Sequence, residues 1–519
     1  MKQRIWRTAV AALLAVAPAA AAQLEPVGVP RGTARIEFSA GWSDWDTRFF
    51  EGQTQPWTAD FAKDTNASNA FPEFSTAEQT LSRILAQPGS LINLGRTSSS
   101  ALVNYSSAEI SAALGVTRHL TIFGRLPMVH NRVQPTLTFT GDSVGFNKAS
   151  GAFGTLAGAA ANNAFLGDFR EALDTLSARV LAGFYDGNAA QKALAIATVA
   201  DGTLLQARLD TLTRIESANT PFLPIEQSGT GQALLNRVEG VQAAMDTLAV
   251  SFTDTLPLPN TPLGPGDFTN FISNPAGPID GFQPAQTSAT YLGNISVGAA
   301  YTLVDHWDQG QHQGGLRSAL SATLTLPTAL LDNANNFFDM STGLPGYSLL
   351  GSLTTDLGAG RWGARILLNY DWRFATLRVR RVGLPSQPLA YYYRLSNLSY
   401  NAGDLFSVEA RPFFRLARSL ALAVGVRYSD QGTSTYAWYT AADAKPGLDP
   451  QSLGVDSQRS WTDISGELSY SSAATRGGGT GLPVEAGINY GQTVAASGGA
   501  VPKTTWLTFN FRVYYRLWH

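Results

Sequence analysis

The sequence predicts an all-β transmembrane barrel of about 12 antiparallel strands, with a helical insertion after the third. Two-sided strands, a short N-terminal leader and a sparse charge content predict it. The last strand is the clearest. From Leu507 to Leu517 every second side chain is apolar (Leu507, Phe509, Phe511, Val513, Tyr515, Leu517), and Thr508, Asn510, Arg512, Tyr514 and Arg516 lie between them. A strand sends alternate side chains to opposite faces. Aliphatic and aromatic groups on one face with arginines on the other require an apolar solvent outside and a polar space inside.

Lys2, Arg4 and Arg7, the apolar run Ala9 to Ala17 and the small residues up to Ala22 read as a secretory signal peptide over 1–22. The run is too short to span a bilayer as a helix. Removing these three basic residues leaves a mildly acidic chain, and nucleic acid is not an expected partner. With no cysteine there is no disulfide framework and no thiolate metal site. Charged residues make up 15% of the chain, below the roughly 25% usual in soluble domains. Since no later segment has the apolar run of a membrane helix, any span must be made of strands. The expected organisation is leader 1–22, barrel strands one to three in 23–141, a mainly helical insertion in 142–286, and strands four to twelve in 287–519.

The first strand spans Thr33 to Trp42, with Ile36 and Phe38 opposed to Arg35 and Glu37, and a polar loop follows to Thr97. Strand two runs Ser99 to Val116 with Glu109 on the polar side, turns at Thr117 to His119, and returns as strand three from Leu120 to Thr140 with Arg125 inward. Alternation resumes at Tyr291 for strand four and at Arg317 to Leu326 for strand five. Strands six (Tyr347 to Leu357) and seven (Ala364 to Phe374) flank a turn at Gly358 to Arg361. Strands eight (Phe406 to Leu416) and nine (Leu420 to Tyr428) flank Arg418 and Ser419. Strand ten contains Asp463 to Tyr470, and strand eleven contains Val484 to Tyr490. An even count places both chain ends on one side, and long and short connections alternate with it. Short turns are expected after strands two, six, eight and ten, a longer one over Asp305 to Gly315, and long external loops after strands one, three, five, seven, nine and eleven. Trp42, Trp372, Tyr428, Trp438, Trp461, Trp506 and Trp518 fall near strand ends, as interfacial girdles do.

Between Gly141 and Gln286 the apolar period shifts towards 3.6. Phe165, Phe169, Leu173, Leu176 and Val180 predict one helix, Leu205, Leu209, Leu212 and Ile215 a second, and Leu234, Val238, Val241, Met245 and Leu248 a third. Pro257, Pro259, Pro262 and Pro265 close the segment. Following an outward-running strand, it belongs at the external mouth, either as a hood over the rim or as a gate or plug.

The polar strand faces provide the candidate site. Arg365, Asp371, Arg373, Glu409, Arg411, Arg415, Arg427, Asp463, Glu467, Glu485, Arg512 and Arg516 are expected to face the lumen, because a basic residue facing lipid at the midplane costs about 2 to 4 kcal/mol. Their mixed signs fit either a salt-bridged interior that stabilises the barrel or a selective passage. Twelve strands enclose more than the eight-stranded interior that side chains fill and less than an open porin channel. His306 and His312 with Asp305 and Asp308 could ligate a metal on a turn, but read more simply as solvated turn residues. No zinc-protease motif occurs, and no cofactor is expected. Gly477 to Gly481 reads as a hairpin turn, and Gly229 with Gly231 as a helix-start loop.

The stretch LGNISVGAAYTLV (Leu292 to Val304) followed by LTLPTA (Leu324 to Ala329) resembles a paired-strand pattern of outer-membrane proteins associated with the meta pathway of phenol degradation. The resemblance implies a barrel that admits hydrophobic or aromatic compounds, and the helical insertion departs from it. The C-terminus, with Trp518 before His519, resembles the signal read by the barrel-assembly machinery. The expected function is therefore a passive outer-membrane channel or transporter for small solutes, with membrane lipid, the solute and the assembly machinery as partners. An outer-membrane lipid hydrolase or protease, with His130 as its best-placed histidine, and a structural or adhesive barrel are the alternatives.

Overall fold

A computed structural model describes residues 28–62, 75–89, 92–141, 143–149, 154–213, 221–264, 286–308, 314–336, 338–384, 394–417, 419–472 and 483–518, with 266–267, 270 and 273. The leader, Ile215, Pro265, His312, Arg418, the Gly477 to Gly481 turn and His519 lie outside the described residues.

Twelve antiparallel staves close on themselves. They are β1 (Thr33–Trp45), β2 (Arg96–Gly115), β3 (Leu120–Thr140), β4 (Thr287–Leu292 continued by Ser296–Asp308), β5 (Gly314–Thr325), β6 (Ser348–Ala359), β7 (Trp362–Arg373), β8 (Leu405–Ala417), β9 (Leu420–Gln431), β10 (Arg459–Ser471), β11 (Val484–Gly498) and β12 (Thr505–Arg516). Each pairs with its sequence neighbours, and β1 completes the ring by pairing with β12 from Thr33↔Arg516 to Asp44↔Thr505. Where the staves pair on both sides, closure leaves no strand edge, so the ladder satisfies its own backbone groups, as a hydrocarbon solvent demands.

The wall is inverted relative to a soluble protein. Phe38, Ile110, Leu126, Leu320, Val424, Ile464, Ile488 and Phe509 face outward and are each 43–51% exposed, whereas Glu37, Arg365, Glu409, Arg411, Asp463, Glu467, Glu485 and Arg512 are 3–9% exposed. Water on both faces would reverse this distribution, since exposed aliphatics and buried ions are each unfavourable there. The chain is an outer-membrane β-barrel.

The start of β1, the end of β12 and the strand ends that meet after β2, β4, β6 and β8 lie at one end of the barrel, and the strand ends that lead into the long connections lie at the other. Two expectations need correction. The connection after β4 shrinks to 309–313, because β4 and β5 extend to Asp308 and from Gly314, and the one after β11 is only 499–504, because β11 runs on to Gly498. Two members of the expected girdle are also buried, Trp42 at 3% and Trp506 at 7% exposure. Trp506 shares the inward phase of Arg512 and lies over Gly491 with the Arg427 guanidinium 6.0 Å from its ring centre.

β4 is broken at Gly293 to Ile295, where side chains replace the ladder. Asn294 Nδ2 donates to the carbonyls of Leu326 (2.8 Å) and Leu344 (3.0 Å), and its Oδ1 accepts from Leu344 N–H (2.5 Å). Thr328 Oγ1 accepts from Ile295 N–H (2.9 Å) and donates to the Gly293 carbonyl (2.7 Å). Thr287–Leu292 therefore pairs only with β3, and the connection 326–347 takes the place of a stave on its other side. At the opposite end Val29, 3% exposed, tucks inside the wall, its N–H donating to Thr121 Oγ1 at 2.8 Å. Gly115 permits this approach, since a Cβ there would stand 2.1 Å from the Pro30 carbonyl oxygen.

The connection after β1 holds α1 (Ser75–Leu85), a helix where the polar composition predicts a loop. That after β3 holds α2 (Leu156–Leu181), α3 (Ala189–Thr213) and α4 (Gly229–Thr247). Thr155 caps α2 by accepting from Gly158 N–H, and Ser228 caps α4 by accepting from Gly231 N–H, each at 3.0 Å. One apolar core joins the four helices through Leu81, Phe169, Leu173, Leu205, Leu209, Leu234, Val238 and Met245, with the Phe169 ring stacked on Phe252 at 4.8 Å. Leu137 of β3 packs against this core, so the helical body is seated on the β2–β3 hairpin.

Candidate functional site

Inside the barrel the inward side chains form ion clusters. Arg512 of β12 donates to Glu37 of β1 at 2.8 Å and stands 3.6 Å from Glu485 of β11, which also accepts from the Tyr514 hydroxyl at 2.8 Å. Arg411 of β8 lies between Glu409 on its own strand and Glu467 of β10, the latter at 2.8 Å. Asp356 of β6 accepts from Arg317 of β5 at 2.6 Å and from Arg365 of β7 at 2.5 Å. Asp463 of β10 accepts from Arg427 of β9 at 2.7 Å and from the Thr493 hydroxyl at 2.9 Å, and Asp371 accepts from Arg373 at 3.0 Å.

The first two clusters each carry one acid in excess and the third carries one base in excess. Arg365 is directly opposite Arg411 in the β7–β8 register, so the basic cluster adjoins an acidic one and the belt is close to neutral. Such charges tolerate burial only because each is paired and hydrogen-bonded. Gly425 makes room for this arrangement: a Cβ there would lie 2.6 Å from Ser465 Oγ and 3.3 Å from both Arg411 Nε and Glu409 Oε1.

Of the residues expected to face the lumen, Arg365, Asp371, Arg373, Glu409, Arg411, Arg427, Asp463, Glu467, Glu485 and Arg512 are gathered into these clusters. Arg415 lies lower, donating to the Gly360 carbonyl at 2.7 Å beside Trp307, and Arg516 is exposed at the rim. The candidate set omits Glu37, Arg317 and Asp356. Glu37 and Arg317 could have been found from their polar-face phase in strands one and five. Asp356 follows Ser352 and Thr354 on the inward phase of β6 and lies within the expected strand Tyr347 to Leu357, so its phase alone could have found it.

The inner face of β1–β3 differs. Trp45, Ala101, Val103 and Val133 form an apolar cluster with Phe338, which the connection 326–347 brings into the barrel. Asn131 Nδ2 donates to the Met340 carbonyl at 2.5 Å, and the Tyr105 hydroxyl donates to the Thr342 carbonyl at 3.5 Å. The other end of this connection reaches the opposite way. Asp332 accepts from Arg378 and from Arg380 (2.5 Å), which lie on the strand Thr376–Arg381 above β7. Burial pushes the Asp332 carboxyl up, but Arg380 and then Arg378 outweigh it and hold the group below the usual aspartate range. The connection is thus a strap at the mouth, pinned by apolar contact on one side and by charge on the other.

No grouping of metal-ligating side chains occurs among the described residues. His119 lies on the β2–β3 turn, its ring stacked on Tyr301 at 5.7 Å. His130 takes the outward phase of β3, with Nδ1 2.8 Å from the Thr290 hydroxyl. No carboxylate is among its described contacts.

No family model matches the chain, and no curated protein is significantly similar to it. Among solved structures it is similar to an outer-membrane channel of Pseudomonas putida F1 (9% identity, 95% of this chain and 100% of that one, TM-score 0.40). It is also similar to a FadL homologue of Pseudomonas aeruginosa (7%, 94% and 90%, 0.27) and to the toluene transporter TodX of Pseudomonas putida (9%, 94% and 90%, 0.24). Likeness at this level bears on neither solute nor mechanism, and the resemblance to the phenol-degradation family gains no support from it.

Proposed function

We propose that the barrel is a passive channel for small hydrophobic or aromatic solutes, with the helical body at its external mouth acting as a gate. The supporting observation is the two-sided interior: an apolar wall of Trp45, Val103, Val133 and Phe338 beside a wall of mutually paired ions. A ring-bearing solute with one polar group finds a partner surface for each of its ends. In this reading the lumen is lined by Arg365, Asp371, Arg373, Glu409, Arg411, Arg427, Asp463, Glu467, Glu485 and Arg512, with Arg415 and Arg516 towards the periplasmic rim. Because the charges are paired, they select by polarity and shape rather than by net charge. The C-terminal aromatic end delivers the chain to the assembly machinery, and the outward apolar band holds it in lipid.

Liposome swelling with the purified protein tests the reading. Small solutes such as benzyl alcohol are expected to enter, and deletion of Gly151 to Ser251 is expected to increase the rate. A barrel sealed to every small solute would refute the channel, and a rate unchanged by the deletion would refute the gate.

A further inference from the structure

We propose that the arginine-bearing face above β7–β9 is a binding site for aromatic carboxylates, and that the strap's own Asp332 occupies it when no solute is bound. The strands Thr376–Arg381, Leu395–Asn401 and Thr435–Trp438 form a small sheet that continues the wall upward. Leu377 and Val379 are exposed on one side of its first strand, at 45% and 43%, while Arg378 on the alternate phase is only 7% exposed. The side opposite the exposed leucine and valine therefore presents guanidiniums to the mouth.

The site already holds a carboxylate. Asp332 Oδ1 accepts from Arg378 Nη2 and Asp332 Oδ2 accepts from Arg380 Nη1 at 2.5 Å, so each oxygen has its own guanidinium. Beside it Arg381 Nη2 donates to Asn335 Oδ1 at 2.8 Å. Carboxylate recognition by arginine relies on this kind of charge-assisted, two-point contact. An aromatic surface adjoins the pair: the rings of Tyr400 and Tyr436 are 4.8 Å apart, and the Arg378 guanidinium lies 5.8 Å from the Tyr400 ring centre. A benzoate-like solute could place its carboxylate on the arginines and its ring against the tyrosines. The Arg380 side chain is 30% exposed, which leaves the site open to water.

Asp332 differs from a solute in being tethered. Its high effective concentration makes it a competitor that a free carboxylate must displace. Displacement frees only one end of the strap, because Phe338 and the Asn131 contact hold the other. Occupancy of the site is thereby coupled to the width of the mouth.

The proposal rests on the channel reading and names its solute class, yet binding can be measured without flux. The experiment is calorimetric titration of the detergent-solubilised full chain with benzoate, and with benzyl alcohol as the uncharged counterpart. Wild type is expected to bind benzoate weakly. Asp332→Asn, isosteric and unable to pair ionically, is expected to tighten benzoate about tenfold, and Arg378→Gln combined with Arg380→Gln to abolish it. Arg380→Gln alone, at the more exposed arginine, is expected to weaken it with the barrel intact by heat-modified gel mobility. Benzyl alcohol should respond to none of these changes. Benzoate affinity unaltered by all the variants, or benzyl alcohol changing in parallel, would overturn the proposal. Benzoate binding as expected in a barrel that passes no solute would sink the channel alone, and lost binding in a conducting barrel would sink this site alone.

Discussion

Arg512→Met is expected to destabilise the barrel by about 3 to 5 kcal/mol, because it removes the guanidinium that two buried carboxylates share. Glu37 and Glu485 are 9% and 5% exposed and lie on the staves to either side of β12, so all three strands meeting at barrel closure lose their shared cation. A methionine fills the volume without donating a hydrogen bond. Urea titration followed by heat-modified gel mobility measures the loss as a lower midpoint. Adding Glu37→Gln and Glu485→Gln to the same variant should recover most of it, since neutral amides need no buried cation. A single variant as stable as wild type would mean that water reaches these groups and that the belt is not a closed ion network.

Phe169→Ala is expected to cost the helical body about 3 to 5 kcal/mol while leaving the barrel folded. Phe169 is fully buried, stacks on Phe252 and lies among side chains from α2, α3 and α4. Its loss opens a cavity that the surrounding helices fill only in part. The barrel's ladder does not pass through this core, so the effect should be local. Hydrogen exchange should show lost protection in α2–α4 with β7–β12 unchanged. Loss of protection in both regions together would mean that the body and the barrel fold as one unit.

The staves were legible because their two faces lie in different solvents. In β7, Ile366, Leu368 and Tyr370 alternate with Arg365, Asn369 and Asp371, and the observed span Trp362–Arg373 follows that pattern. Where strands rise beyond the apolar band the signal ends. The outward phase of β3 passes from Met128 to His130, Arg132 and Gln134, which is polar on a face that was apolar below, and so strand tops were read short elsewhere. The β4 break was invisible for a related reason, since Asn294 and Thr328 act through backbone groups far away in sequence and leave no period.

The helices after β3 were readable from Phe165, Phe169, Leu173 and Leu176, all buried, whereas α1 is a single short amphipathic helix within a polar stretch. The candidate site was half legible. A polar-face residue can be recognised from its own strand, but its partner cannot: Glu37 and Arg512 meet across 475 residues, which only closure brings together. The Asp332 site lies above the barrel: Leu377 and Val379 alternate with Arg378 and Arg380, but nothing in the sequence ties that short strand to Asp332, 46 residues away from Arg378.

The central claim is that lipid surrounds this wall and a polar interior fills it. Since the chain has no cysteine, single cysteines can carry a nitroxide at Val424, Ile464 and Ile488 on one phase and at Ala423, Ser465 and Asn489 on the other. In reconstituted vesicles, oxygen collision rates should be high at the first three positions and low at the second three, alternating with a period of two. Equal rates on both phases, or high rates on the phase of Ser465, would contradict the account.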